Sequence, residues 1–169
     1  MDENLTVTAQ DLVLGLSEKE LAMLIKRYGE DPQAKTFARA IKDYVESVDN
    51  ITPLGMAEAI RNASKYKDSR IHPATRVFQA LRIAVNSELE NLRLSLHDAA
   101  LLLKLQGIIA VISFHSLEDE IVKNLTRSHQ NHEVVLEEIT KTPIVPTEIE
   151  VLKNPSSRSG KLSVFKRIK

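Results

Sequence analysis

The stretch Gly107-Ile-Ile-Ala-Val-Ile-Ser-Phe-His-Ser-Leu-Glu-Asp119 decides how the rest of the chain is read. A solid apolar run, Ile108 to Ile112, passes without a break into a polar cluster of Ser113, His115, Ser116, Glu118 and Asp119, and then into an amphipathic segment, Ile121 to Leu125. This is how a strand ends and a helix begins. A continuous rather than alternating apolar run predicts a strand covered on both faces, as in the parallel sheet of an α/β protein. Ligands of such sheets bind beyond the carboxyl ends of the strands, where His115 and Ser116 stand. Ser116-Leu-Glu-Asp119 fits a capping pattern, with Ser116 as N-cap and Asp119 at the third helical position. Capping accounts for those two and leaves His115 and Glu118 as the candidates for chemistry.

Upstream the chain reads as helical. Thr8 to Leu14 predicts a short helix, and Ser17-Glu-Lys-Glu20 is a capping box opening a second, with Leu21, Leu24 and Ile25 as its apolar stripe and Gly29 as its C-terminal cap. A third helix starts near Pro32 and carries Phe37, Ile41 and Val45. Thr52-Pro53 caps a fourth through Met56, Ile60 and Ala63. These pieces predict a helical lobe over residues 1–70, ending in a polar, basic surface connection, Lys65 to Pro73. The remainder, 71–169, is the second region. It opens with a long helix from Pro73 to about Leu96, whose Val77, Leu81, Val85, Leu89, Leu92 and Leu96 share one face. Thr75, Gln79, Arg82 and Asn86 form a narrow band on another face, without Lys or Glu, which suits recognition or a plain solvated face equally.

Downstream, Val134 to Ile139 and Leu162 to Ile168 predict two final strands. Pro143, Pro146 and Pro155 keep the chain between them extended and unpaired. Asn154-Pro-Ser-Ser-Arg-Ser-Gly160 is small and polar and carries Arg158, which suits either a plain turn or a phosphate contact.

Composition sets limits. With 169 residues, 43% of them hydrophobic, the chain can bury one core, or one lobe plus a partial domain. The absence of cysteine excludes disulfides and thiolate chemistry and agrees with a reducing cytoplasm. No apolar run approaches the roughly 18 residues of a membrane span. Net charge is zero, so nucleic-acid contacts would have to come from local patches. The five glycines stand apart at 15, 29, 55, 107 and 160, so neither a GxGxxG turn nor a GxxxxGK loop is present. No metal site is expected.

Three long blocks carry a resemblance. Ile71-His-Pro-Ala-Thr-Arg-Val-Phe-Gln-Ala-Leu-Arg-Ile-Ala-Val-Asn-Ser-Glu-Leu89, then Ala110-Val-Ile-Ser-Phe-His-Ser-Leu-Glu-Asp119 with Ile121-Val-Lys123, then Asn154-Pro-Ser-Ser-Arg-Ser-Gly-Lys161 resemble, in order, the signatures of the methyltransferase H family, the bacterial 16S rRNA cytosine-N4-methyltransferases. Arg27-Tyr-Gly-Glu30 with Ala38-Arg-Ala-Ile41 resembles that family's helical insert. The likeness spans essentially the whole chain and corresponds to about the last half of a member, from an internal Met-Asp onward. The family's glycine-rich cofactor loop and Asp-Leu-Gly motif are not in this sequence. Leu105-Gln106-Gly107 stands where Pro-Gly-Gly is usual, and Ser156 where Arg is common.

The resemblance implies a helix-rich α/β fold: a helical insert lobe for substrate recognition, joined to the last three strands of a Rossmann-like sheet ordered 3-2-1-4-5-7-6. It implies S-adenosyl-L-methionine as methyl donor, the small-subunit 16S rRNA as partner, a cytidine of the decoding region as target, a cytoplasmic setting and no membrane. His115, Ser116, Glu118 and Asp119 would line the base pocket, with Arg82, Asn86, Gln79 and Thr75 as substrate contacts. Arg158, Arg76, Lys65 and Lys67 would meet the RNA backbone. The cofactor pocket would lie mostly on the other half, so this chain alone is expected to bind the donor negligibly. A complementing N-terminal half, or a homodimer through the open strand edge, is the expected protein partner. The alternative reading is a noncatalytic RNA- or partner-binding remnant.

Overall fold

The computed structural model describes residues 7–65, 71–128 and 134–169, which fall into two compact units dividing between Glu88 and Leu89. The first is all helical: α1 (Ala9–Gly15), α2 (Glu18–Gly29), α3 (Ala34–Ser47), α4 (Pro53–Ala63) and α5 (Ala74–Asn86). Short polar side chains set the starts. The Ser17 hydroxyl accepts the Glu20 N–H at 3.3 Å while the Glu20 carboxylate accepts the Ser17 N–H at 2.9 Å, and Thr8 with Asp11 repeats the arrangement. Thr52 accepts the Gly55 N–H at 3.1 Å with Pro53 in the first turn. The apolar stripes meet in one core that buries Leu21, Ile25, Phe37, Ile41, Ile60, Val77 and Leu81. Each such side chain contributes about 1.5–3 kcal/mol through removal from water.

Three expectations are corrected here. Helix α2 closes with Glu30 in the left-handed region (φ 50°), not with Gly29. Gly29 instead lies where α2 meets α5: a Cβ there would stand 2.7 Å from the Arg76 carbonyl oxygen. The unit also extends past residue 70, because the apolar face of α5 (Ala74, Val77, Leu81) is part of the same core. Finally, the single long helix breaks at Ser87, which is left-handed at φ 49°, and α6 (Glu88–Leu102) begins directly after it. Val77 and Leu81 therefore belong to the first core and Leu92 and Leu96 to the second. Side chains around the break hold it: Asn86 donates to the Arg82 carbonyl at 2.9 Å and to Glu88 Oε1 at 3.2 Å.

The second unit contains most of α6, then β1 (Ile108–Ser113), α7 (Ser116–Lys123), α8 (Leu125–Ser128), β2 (Leu136–Glu138), α9 (Glu148–Lys153), a 3-10 turn (Pro155–Ser159) and β3 (Lys161–Arg167). The sheet order is β1-β3-β2, as the resemblance implied for the last three strands. Both pairings are antiparallel, with Ser113 opposite Lys161, Ile109 opposite Phe165 and Leu136 opposite Arg167, so the parallel sheet read from the apolar run is not the arrangement of these strands. Nor is β1 covered twice. Ile109 and Val111 pack with Leu96, Ala100, Val122 and Phe165, whereas Ile108 and Ile112 are 60% and 59% exposed. Among the described residues the helical core covers one face of the strand only, and its outer edge has no partner.

The proline-punctuated connection is less extended than expected. Thr147 caps α9 by accepting the Glu150 N–H at 3.2 Å, and Ile144 bridges to Leu162 through two 2.8 Å hydrogen bonds. The result is a helix-rich α/β chain with a three-stranded antiparallel sheet. No helix among the described residues is long and apolar enough to cross a membrane.

Candidate functional site

Strand β1 ends in a tightly bonded turn. Glu118 Oε2 accepts the Phe114 N–H at 2.7 Å and the His115 N–H at 3.2 Å, while His115 Nδ1 accepts the Glu118 N–H at 3.3 Å. His115, not Ser116, is thus the N-cap of α7, and its partner is Glu118, not Asp119. His115 keeps an extended backbone (φ −141°, ψ 167°) and α7 begins one residue earlier than the sequence pattern indicates, with Nδ1 serving as the acceptor that Ser or Asp usually supplies. With Nδ1 accepting, the neutral ring carries its proton on Nε2. That nitrogen is buried, lies 3.3 Å from Glu118 Oε1 and makes no hydrogen bond.

Asp119, freed from capping, is 5% exposed and meets two cations. Its Oδ2 accepts from Lys123 Nζ and from Lys161 Nζ, each at 2.9 Å. Burial pushes the carboxyl up, but hydrogen bonds and charges from the two ammoniums outweigh it and hold the group below its ordinary range. Asp119 is therefore a fixed carboxylate rather than a proton carrier near neutral pH. Lys161 was not among the sequence candidates. It closes the Asn154 to Lys161 block, but only the strand register, Lys161 opposite Ser113, brings it to a carboxylate 42 residues away.

The buried side-chain atoms without a hydrogen-bond partner among the described residues are His115 Nε2, Asp119 Oδ1 and Ser163 Oγ, the last on β3 opposite Val111. An unmet buried polar group costs about 1–3 kcal/mol, so each is a natural contact for a ligand or a water molecule. On the open face of the sheet a cavity of about 310 Å³ is lined by Ile112, Phe114, Pro146, Glu150, Ser157 and Gly160.

The remaining sequence candidates are dispersed. On α5, Thr75 and Arg82 are exposed, while Gln79 and Asn86 are half-buried. Arg82 and Asn86 converge on Glu88, with Arg82 Nε 2.9 Å from Oε1, and secure the break between α5 and α6. Arg76 points elsewhere, to the buried Asp31 at 3.9 Å, beside a cavity of about 210 Å³ that His72 and Ser64 also line. Lys65 is exposed and its backbone N–H donates to Gln33. Lys67 lies outside the described residues. Arg158 is exposed on the 3-10 turn. The structure therefore gathers His115, Ser116, Glu118 and Asp119 into one turn, and adds Lys161 and Lys123 to it.

Residues 1–168 match the model of the MraW methylase family. The chain belongs to that family. Among its relatives, the Ribosomal RNA small subunit methyltransferase H of Sulfurihydrogenibium sp. (strain YO3AOP1) is 42% identical over 170 residues, covering 99% of this chain and 58% of that protein. The proteins of the same name from Coprothermobacter proteolyticus and Gloeothece citriformis are 45% and 44% identical, covering 95% and 99% of the chain but 53% and 54% of their own lengths. The chain thus spans about half the length of the curated relatives it matches.

Methylases of this kind imply S-adenosyl-L-methionine, and the described residues do not fit it by themselves. No glycine among them has a positive φ, and the tight approach at Gly107, where a Cβ would stand 2.7 Å from the Lys104 carbonyl oxygen, forms the turn entering β1 rather than a loop leaving a strand. The described residues build no backbone cradle for the donor.

Proposed function

We propose that this MraW-family chain supplies the substrate-facing half of an S-adenosyl-L-methionine-dependent methyltransferase acting on the exocyclic amine of a cytidine in small-subunit (16S) rRNA. The observation that carries the reading is the match of residues 1–168 to the family, with relatives named for ribosomal RNA methylation. The turn from Phe114 to Asp119 supports it chemically. A cytosine amine is a weak nucleophile, so its site works by holding the amine in line and excluding water. The base must also leave its stack, at a cost of a few kcal/mol. In this reading His115 Nε2–H and Asp119 Oδ1 are the donor and acceptor left for the polar edge of the base. Glu118, Lys161 and Lys123 hold the turn rigid. The helical unit would serve recognition and the second unit would complete the methyltransferase domain, whose β1-β3-β2 strands would be the end of a Rossmann-like sheet, in the cytoplasm.

The test combines this chain with the remaining part of the Sulfurihydrogenibium relative, S-adenosyl-L-methionine and small subunits from cells lacking the modification. Nucleoside mass spectrometry should show methyl on cytosine N4. Methyl on another base, or none while the intact relative modifies the same subunits, overturns the reading. The second reading, a noncatalytic RNA- or partner-binding chain, is favoured by the missing donor cradle. It would leave RNA binding without transfer. Calorimetry on the isolated chain should detect negligible binding of the donor, and micromolar affinity would show that a cradle exists after all.

A further inference from the structure

We infer that the cavity on the open face of the sheet is a guanine-selective pocket for the nucleotide next to the methylated cytidine. The inference rests on the ribosomal RNA reading above and adds a second base site to it. At about 310 Å³ the cavity is near the lower end of the range of about 300–1,000 Å³ for small-ligand sites, which suits a single base. Its walls are mostly apolar, with Ile112, Phe114, Pro146 and Leu162, and its polar groups include Glu150 from α9 and Ser156 from the 3-10 turn. Phe114 is 52% exposed and held from two sides. Its N–H donates to Glu118 Oε2 at 2.7 Å, and Gly160 packs against its ring, where a Cβ would stand 3.7 Å from Cε1. An exposed ring held in place is a stacking surface for an unpaired base, and stacking alone accepts any base.

Glu150 supplies the choice between bases. No described residue forms an ion pair or hydrogen bond with its carboxylate. An ionised carboxylate only accepts hydrogen bonds. Guanine alone among the RNA bases carries two adjacent N–H donors, on N1 and N2, along its Watson–Crick edge. Adenine and cytosine set an acceptor beside the amino group, and uracil sets one N–H between two carbonyls. Glu150 can therefore take both hydrogens of guanine and meets a lone pair on each of the others, while the Ser156 hydroxyl can donate to guanine O6. Arg158, exposed on the same turn and without an ion pair to a described residue, is in place for the phosphate.

The pocket lies one residue from the strand-end turn. Consecutive Cα atoms are about 3.8 Å apart, and extended backbone sends consecutive side chains to opposite sides. Phe114 accordingly lines the open-face cavity, while the buried Nε2 of His115 belongs to the turn. An RNA strand crossing the end of β1 with two bases splayed apart would place the cytosine at His115 and Asp119 and its neighbour on Phe114. Contacts to flanking nucleotides are how base-modifying enzymes select their sequence context. A protein segment laid over Ile112 and Phe114 is the weaker match, because it would bury the Glu150 carboxylate with no described cation paired to it.

The test is an NMR titration of the whole 169-residue chain, labelled with nitrogen-15, with the monophosphates of guanosine, adenosine, cytidine and uridine and with inorganic phosphate. Guanosine monophosphate should shift the amides of Phe114, Glu150, Ser157 and Gly160 and bind about tenfold or more tightly than the other three, as a good bidentate base contact does. Glu150→Gln, at an exposed position, should abolish the preference with the fold intact by circular dichroism, and Phe114→Leu should weaken all four and keep their order. One of the dinucleotides GpC and CpG should bind more tightly than guanosine monophosphate and add shifts at His115 and Asp119. Equal binding of the four, a preference that survives Glu150→Gln, shifts confined to Arg158 as with inorganic phosphate, or dinucleotides that gain nothing overturn the inference. Methyl transfer in the reconstituted enzyme judges the rRNA reading separately: guanine binding as expected, with no methyl reaching cytosine, overturns that reading and leaves the pocket. Shifts at Ile112 and Phe114 on adding the remaining part of the Sulfurihydrogenibium relative, with guanosine monophosphate excluded, overturn the inference in favour of a protein contact.

Discussion

Replacing Lys161 with Met should expose how the strand-end turn is held. Asp119 is 5% exposed, and its Oδ2 is shared at 2.9 Å by Lys161 and by Lys123, one helical turn further along α7. Two limits bracket the cost. An exposed i,i+4 ion pair contributes about 0.3–0.5 kcal/mol, whereas removing one partner of a fully buried pair costs about 3–5 kcal/mol. Lys161 lies between them: its side chain is 42% exposed and Lys123 stays behind to compensate, but Lys161, unlike Lys123, ties α7 to the start of β3. Lys161→Met should therefore cost about 1–2 kcal/mol, Lys123→Met less than about 1 kcal/mol, and Asp119→Asn about 2 kcal/mol. In the Asp119→Asn background, Lys161→Met should be nearly neutral, giving a coupling energy of about 1–2 kcal/mol.

The assay is urea unfolding at neutral pH together with amide exchange at Val111 and Ser163. pH supplies an independent arm. The Asp119 carboxyl is held below its ordinary value near 3.8, so its stabilisation is present above that value and is lost as pH falls through the folded-state value. The difference between wild type and Asp119→Asn should vanish in acid and be constant from about pH 5 upward. Equal effects of Lys161→Met and Lys123→Met, or a full cost of Lys161→Met in the Asp119→Asn background, would refute the reasoning.

The cap register makes a sharp comparison: His115→Ala should cost about 0.5–2 kcal/mol and speed exchange at the Glu118 amide, whereas Ser116→Ala leaves the Glu118 bond in place, and the reverse ranking would restore Ser116 as the cap. Gly29→Ala should destabilise the helical unit by about 1–3 kcal/mol in thermal melts, since its methyl would press on the Arg76 carbonyl. An unchanged melt would show that α2 and α5 can move apart. The isolated chain should self-associate through the open edge of β1, and Ile112→Lys should reduce this in light scattering. A monodisperse wild-type monomer with slow exchange from Ala110 to Ser113 would contradict the open-edge reasoning.

Much of the helical unit was legible residue by residue. Ser17 with Glu20, and Thr52 before Pro53, are local signals that act within one turn, and the structure keeps them. The stripes of Leu21, Ile25, Phe37 and Ile41 marked the core because periodicity alone tells which side of a helix must leave water. The break at Ser87 was hidden, because Val77 to Leu96 keeps a helical period straight through it. Two cores, each claiming one half of that stripe, decide it. The sequence pattern puts the cap one residue late, at Ser116, because Ser is the commoner cap, and nothing in the letters shows where extended backbone gives way to α7.

What the sequence determined by itself is therefore the short-range part: helix starts, apolar faces, the strand-to-helix passage at Ile108 to Leu125, and, through its long blocks, the family. Only the tertiary structure decided which face of β1 is covered, where the first unit ends, and that Lys161 and Asp119 share a hydrogen bond across 42 residues. The physical reason is that caps and amphipathic periods are satisfied by neighbours in the chain. An ion pair between a helix and a strand depends on β-sheet register, which a one-residue slip would undo.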